Sequence, residues 1–224
     1  QGRWLYVPDV AVGRLVETPA EIVGQIYAFQ SNSLLDLSGG GGSLVTGYDF
    51  LSDSATAIKN TMIDQGLTPE ALIGETWDAS QLAAAWVDPR PEPYIAAVNG
   101  HYQHWRTQPA DATTTFYNTH ILEGGHFSGS INYSVGCHAG LNVPDQSSQA
   151  GSWNPDYPQV FGRKTAVWVA NTGYGYGMDD AIAGSEAVYL YFQQMLGSED
   201  QISAGEALRR AKWDTVITFC KHVT

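Results

Sequence analysis

Short β-prone apolar runs alternate along the chain with stretches whose apolar residues recur at helical spacing. Thr18 to Glu21 reads as a helix start: Thr18 caps, Pro19 suits the first helical position and Glu21 completes a capping box. Ile22, Val23, Ile26, Tyr27 and Phe29 then form an apolar stripe, which predicts a helix to about Gln30. Residues 7–14 read as extended, with Pro8 opposing a helix. Ser43 to Gly47 predicts a strand, and 54–65 a helix stopped by Gly66. Thr68 to Ile73 has mixed character. Asp78 to Trp86 predicts another helix, ended by Pro89, Pro91 and Pro93. Further strands are expected over 94–98, 131–135 and 165–170, with irregular polar chain over 102–130 and a loop over 142–163. Two helices close the chain. One runs over about 180–196, with Ile182, Ala183, Ala187, Leu190 and Tyr191 buried. The other runs over about 203–221, with Ala207, Leu208, Ala211, Val216 and Phe219 buried. This strand–helix order predicts an α/β fold with a mostly parallel sheet between helix layers.

Two of the strands end alike. Tyr94 to Val98 leads into Asn99-Gly100-His101, and Ile131 to Val135 leads into Gly136-Cys137. Carboxyl ends of parallel strands share one rim, where ligands bind. If the two strands are neighbours, His101 and Cys137 meet there, and a Cys–His pair is the minimal unit of thiolate chemistry. The loop over 171–177, rich in Gly and Tyr, opens onto the same rim.

Composition narrows the alternatives. The 224 residues carry a formal net charge of −12, which argues against nucleic acid or an anionic membrane as the main partner. No apolar run approaches the ~20 residues of a membrane span. The glycine run at 39–42 reads as a flexible connector. A phosphate loop would need a following Lys-Ser or Lys-Thr, and Leu44-Val45 stand nearby instead. Cys137 and Cys220 read as two free thiols, with one disulfide as the alternative. His101 and His104 invite a zinc reading, but no His-Glu-x-x-His helix and no Cys-x-x-Cys pair accompanies them.

Five segments in register carry a resemblance: Val12 to Pro19, Leu44 to Phe50, Asn99 to His101, Val135 to Gly140 and Ala170 to Gly175. They resemble the gingipain-type cysteine peptidases, bacterial relatives of the caspases, and the likeness runs from about Tyr6 to the last helix. It implies a caspase-like three-layer α/β/α sandwich over 1–224, lacking an upstream portion. The implied activity is endopeptidase cleavage after Arg or Lys. Cys137 matches the nucleophile and His101 the general base and acid. The implied oxyanion donors are the main-chain amides of Cys137 and Tyr102. Gingipains carry Gly after this His, so the Tyr102 side chain must point away from the substrate.

Asp49 matches an acidic residue that supports the His, and Asp53 one at the base of a pocket for a basic side chain; their roles are interchangeable at this level. Without the resemblance, Asp53 reads as a helix cap and Asp49 as a solvated loop residue. Tyr174 and Tyr176 match the loop covering that pocket, with Gly177 where Arg-specific enzymes carry a large aromatic. Trp105 and Trp153 either wall the cleft or pack internally. The resemblance requires no cofactor for the chemistry. Gingipains do bind calcium, although no Asp-rich calcium loop is evident here. It implies a protein or peptide substrate, an upstream fragment or partner chain of the same precursor and a secreted or cell-surface bacterial setting, and it raises self-cleavage before Gln1 as a hypothesis. The competing readings are a non-catalytic relative that binds a peptide at the same rim, and a metal hydrolase.

Overall fold

The computed structural model describes residues 8–31, 42–88, 93–145, 155–198 and 202–223, with side chains to Thr218 in the last segment. Most of the glycine connector, Pro89, Pro91, Trp153 and the Cys220 and Phe219 side chains lie outside the described set. In chain order the elements are α1 (Pro19–Ser31), β1 (Ser43–Gly47), α2 (Ser52–Asp64), β2 (Pro69–Ile73), α3 (Ala79–Trp86), β3 (Ile95–Val98), β4 (His101–Gln103), β5 (Arg106–Gln108), β6 (Phe116–Tyr117), α4 (Thr119–Glu123), β7 (Ile131–Ser134), α5 (Tyr157–Arg163), β8 (Val167–Ala170), α6 (Ser185–Leu196) and α7 (Ala204–Val223).

Five strands form an all-parallel sheet in the order β2-β1-β3-β7-β8, and β4-β5-β6 form a small antiparallel sheet. The central strands are buried on both faces, which is why they read as unbroken apolar runs. Alternation sorts their side chains. Leu44, Ala96 and Val98 pack with Trp86 of α3 and with Tyr157, Val160 and Phe161 of α5. Val45, Ile95, Ala97 and Tyr133 pack with Ile58 and Met62 of α2, Phe192 of α6 and Ala207 and Ala211 of α7. The sheet is thus sandwiched between two helical layers. Asn132, inside the sheet, is paired: buried Trp86 donates its indole N–H to Asn132 Oδ1 at 3.0 Å, and Asn132 donates to Ser130 Oγ. Among the described residues no helix is long and apolar enough to cross a membrane.

Several expectations change. The mixed segment at 68–73 supplies an edge strand, β2. The loop expected over 142–163 contains α5, started by a capping box between Asp156 and Gln159. Burial pushes the Asp156 carboxyl up, against amide hydrogen bonds from Gln159 and Val143 that lower it. The helix expected from about 180 begins at Ser185, and its fully buried side is Glu186, Tyr189, Phe192, Gln193 and Leu196. The face is rotated because Gln193 is held inside, accepting from the Tyr133 hydroxyl and donating to Gln65 Oε1 at 2.7 Å each. The Thr18–Glu21 capping box of α1 is present. Its apolar stripe, however, does not face the core: α1 buries no residue, and Val23, Ile26, Tyr27 and Phe29 are exposed. The contact of α1 with α5 is polar, through Glu21 and Arg163, and the sheet lies beyond its reach.

Candidate active site

The β3–β7 ladder pairs Ile95 with Ile131, Ala96 with Asn132 and Ala97 with Tyr133. Continued past the strand ends, the same offset of 36 residues would bring His101 level with Cys137. Just beyond the ladder the offset is kept by Asn99, whose Oδ1 accepts the Val135 amide at 3.2 Å. The two chains also touch where a Cβ on Gly136 would lie 2.3 Å from Cδ2 of Tyr102, so only glycine lets the Cys137 loop pass over that ring. His101 and Cys137 thus each follow the carboxyl end of one of two adjacent parallel strands. β1, beside β3, adds a third element there, at the point where the strand order reverses.

The segment after β1 cradles the imidazole with three consecutive residues. Tyr48 meets the His101 ring edge-on at 5.5 Å, Phe50 lies at 6.0 Å, and Asp49 Oδ2 is 3.6 Å from Nε2. Asp49 adopts a left-handed backbone (φ 56), which Asp tolerates better than most residues, and its amide donates to Glu75 Oε1 at 2.7 Å. Nε2 is thus the ring nitrogen that faces Asp49, and Nδ1 lies on the other side of the ring. Buried Tyr48 also fixes the main chain: its hydroxyl accepts from the His101 amide at 3.2 Å and donates to the Gln108 carbonyl at 2.7 Å. Burial pushes this phenol up to about 12, so it stays a neutral donor.

His101 pairs with Gln108 in the β4–β5 hairpin, and its amide donates to the Tyr48 hydroxyl, which itself donates to the Gln108 carbonyl. The Tyr102 side chain is buried, donates to the Val98 carbonyl at 2.9 Å and packs on Tyr157. It points into the core.

Cys137 is a half-buried free thiol. Its sulfur is held by one residue: the Gly175 amide donates to Sγ at 3.4 Å, and the Gly175 carbonyl lies 3.8 Å away. The loop that carries Cys137 is zipped to the one after β8. The His138 amide donates to Gly173 O, Gly140 N to Asn171 O, and Asn171 Nδ2 to Val135 O, at 2.7 to 2.8 Å. Such close approach needs glycine: a Cβ on Gly175 would sit 1.9 Å from Val135 O, and one on Gly140 2.4 Å from Ala170 O.

The remaining site candidates scatter. Tyr174 and Tyr176 are both exposed on this loop, with Tyr174 against the His138 ring. Asp53 is exposed on the first turn of α2, where Oδ1 accepts the Ser54 amide at 2.6 Å. It does not join the His101–Asp49 pair. Trp105 packs on its own hairpin, stacked on Tyr117 and covered by the Arg106 guanidinium at 4.9 Å. His104 is partly buried, which holds its imidazole below the usual histidine range, and the nearby His138 adds to this. Among the described residues no group of three or more His, Cys, Asp or Glu side chains is arranged to hold a metal ion. Sequence reading missed the Tyr48–Phe50 cradle, although both aromatics flank Asp49, and it missed Glu186, buried close by.

No protein-family model matches the chain, and no curated protein matches it.

Proposed function

We propose that the chain is a cysteine endopeptidase of the gingipain-type, caspase-related kind, forming an acyl-enzyme on Cys137. The observation that carries the reading is the β3–β7 register, whose offset of 36 residues, continued past both strand ends, aligns His101 with Cys137. The helical layers on both faces of the sheet support the caspase-like part.

In this reading His101 takes the thiol proton as the sulfur adds to the peptide carbonyl. The oxyanion that forms accepts from the main-chain N–H groups of Cys137 and Tyr102. Collapse breaks the C–N bond, and the leaving amine takes its proton from His101. Water, deprotonated by the same imidazole, then hydrolyses the thioester. Asp49 orients the ring and stabilises its cationic form. The substrate residue on the acyl side of the cut is basic, which suits the acidic groups beside this rim.

The test is a fluorogenic peptide set varied at that residue, with wild type and Cys137→Ala. Cleavage after Arg or Lys that disappears in the variant is the expected result. Iodoacetamide should also label Cys137 at pH ~7 faster than an ordinary thiol. Undiminished cleavage by Cys137→Ala overturns the proposal. So does ordinary thiol reactivity without cleavage, the outcome for a module that binds peptides and does not cut them.

A further inference from the structure

Glu186, the second residue of α6, is fully buried, yet its Oε1 has no hydrogen-bond partner among the described residues. Its Oε2 accepts the Met178 amide at 3.1 Å. The Ser54 hydroxyl lies near enough to lower the Glu186 carboxyl, but it donates to the Leu51 carbonyl at 3.1 Å. Folds rarely keep a buried acceptor unpaired unless something uses it.

Contacts link this carboxylate to the candidate dyad. A Cβ on Gly177 would lie 2.5 Å from Cδ of Glu186 and 2.7 Å from the Phe50 ring. Phe50 flanks His101, and Gly175, two residues before Gly177, holds the Cys137 sulfur. The absent side chain at 177 therefore leaves the carboxylate room directly beneath the loop that holds the sulfur. Asp53, at the start of α2, is close enough for its charge to oppose ionisation of Glu186. Neither carboxylate has a Lys or Arg ion-pair partner among the described residues. Two unneutralised carboxylates, one buried and one exposed, form a receptor for a cation, and a planar fork with several N–H donors suits both.

We infer that Glu186 is the floor of the substrate subsite and receives the positive charge of the basic residue on the acyl side of the cut, with Asp53 at its rim. This rests on the peptidase reading above and assigns the main recognition to a residue of α6. The cation displaces the Met178 amide from Oε2 and satisfies Oε1. Entry requires the cover over α6 to shift. That cover is closed by the Ser185 amide on Tyr176 O at 2.8 Å and by the Tyr176 amide on Ser185 Oγ at 3.2 Å.

Benzamidine, an aryl amidinium, tests the subsite by calorimetry without needing turnover. Wild type and Cys137→Ala are expected to bind it alike. Glu186→Gln should bind at least about tenfold more weakly, and Asp53→Asn only a few-fold more weakly. Gly177→Ala, which drives a methyl onto the carboxylate, should lose binding while keeping Glu186, and it serves if Glu186→Gln does not fold. Unchanged binding by either of those two variants, or no binding by wild type, overturns the inference. The peptidase reading fails separately, through hydrolysis that survives Cys137→Ala.

Discussion

Asp49 Oδ2 stands 3.6 Å from His101 Nε2, with both side chains about half exposed at 58% and 46%. That separation is too long for a hydrogen bond, and solvent screens the pair. In the proposed reaction Asp49 acts as an orienting charge, and it contributes little to stability. Asp49→Asn is expected to lower kcat a few-fold, at most about tenfold, with KM unchanged. Steady-state kinetics on a peptide cleaved by wild type would show this. A loss of several orders of magnitude would mean that the pair closes to a true hydrogen bond when substrate binds.

Tyr102 separates a structural side chain from an amide that the proposed reaction uses. Tyr102→Phe removes a buried hydroxyl that donates to the Val98 carbonyl, and should cost about 0.5–1.5 kcal/mol of stability. Turnover should be unaffected, because the amide stays in place. Urea unfolding alongside kcat measures both, and a large drop in kcat with intact stability would contradict the division.

Gly175→Ala forces a methyl to within 1.9 Å of the Val135 carbonyl. The loop after β8 must then withdraw from Cys137, at a cost of about 1–3 kcal/mol. Iodoacetamide labelling of Cys137 is expected to change in rate, because the amide at 3.4 Å from the sulfur moves away. A variant with wild-type melting and labelling would show that the contact can relax freely.

Glu186 should reveal itself through pH. Burial pushes its carboxyl up, the Met178 amide offsets part of this, and the Asp53 charge adds to the rise. An acid whose folded value is raised favours the fold in its neutral form. That contribution is complete below the unfolded-state value of about 4.3 and is lost as pH rises through the folded value. Glu186→Gln cannot ionise, so it should melt above wild type at pH ~8 by about 2–4 °C for each kcal/mol relieved. The gap should close toward pH ~4. A variant that melts below wild type at alkaline pH would identify Glu186 as a purely structural tie to Met178.

The sequence disclosed its strands because residues buried on both faces leave continuous apolar runs, as at Ile95 to Val98. It disclosed the start of α1 because the Thr18–Glu21 capping box is a local arrangement. What it hid depends on distant partners. The stripe Val23, Ile26, Tyr27 and Phe29 has the spacing of a buried face, but spacing does not say whether the sheet comes within reach. α5 carried its signal in Asp156 and Gln159, obscured by the prolines around it. Glu186 reads as an ordinary solvated acid at a helix start. Only the return of the loop at 177–178 makes it buried.

The ladder from Ile95 and Ile131 aligns the two strand ends that lead to His101 and Cys137, whatever the length of chain between them. Insertions or deletions beyond the β4–β5 hairpin, around α4, should leave those ends undisturbed. A slip of one residue between the two central strands would instead turn Cys137 to the opposite face of the sheet. The detour is thus open to length variation and the crossing point is closed to it, so new surface contacts can arise beside the rim while its geometry persists.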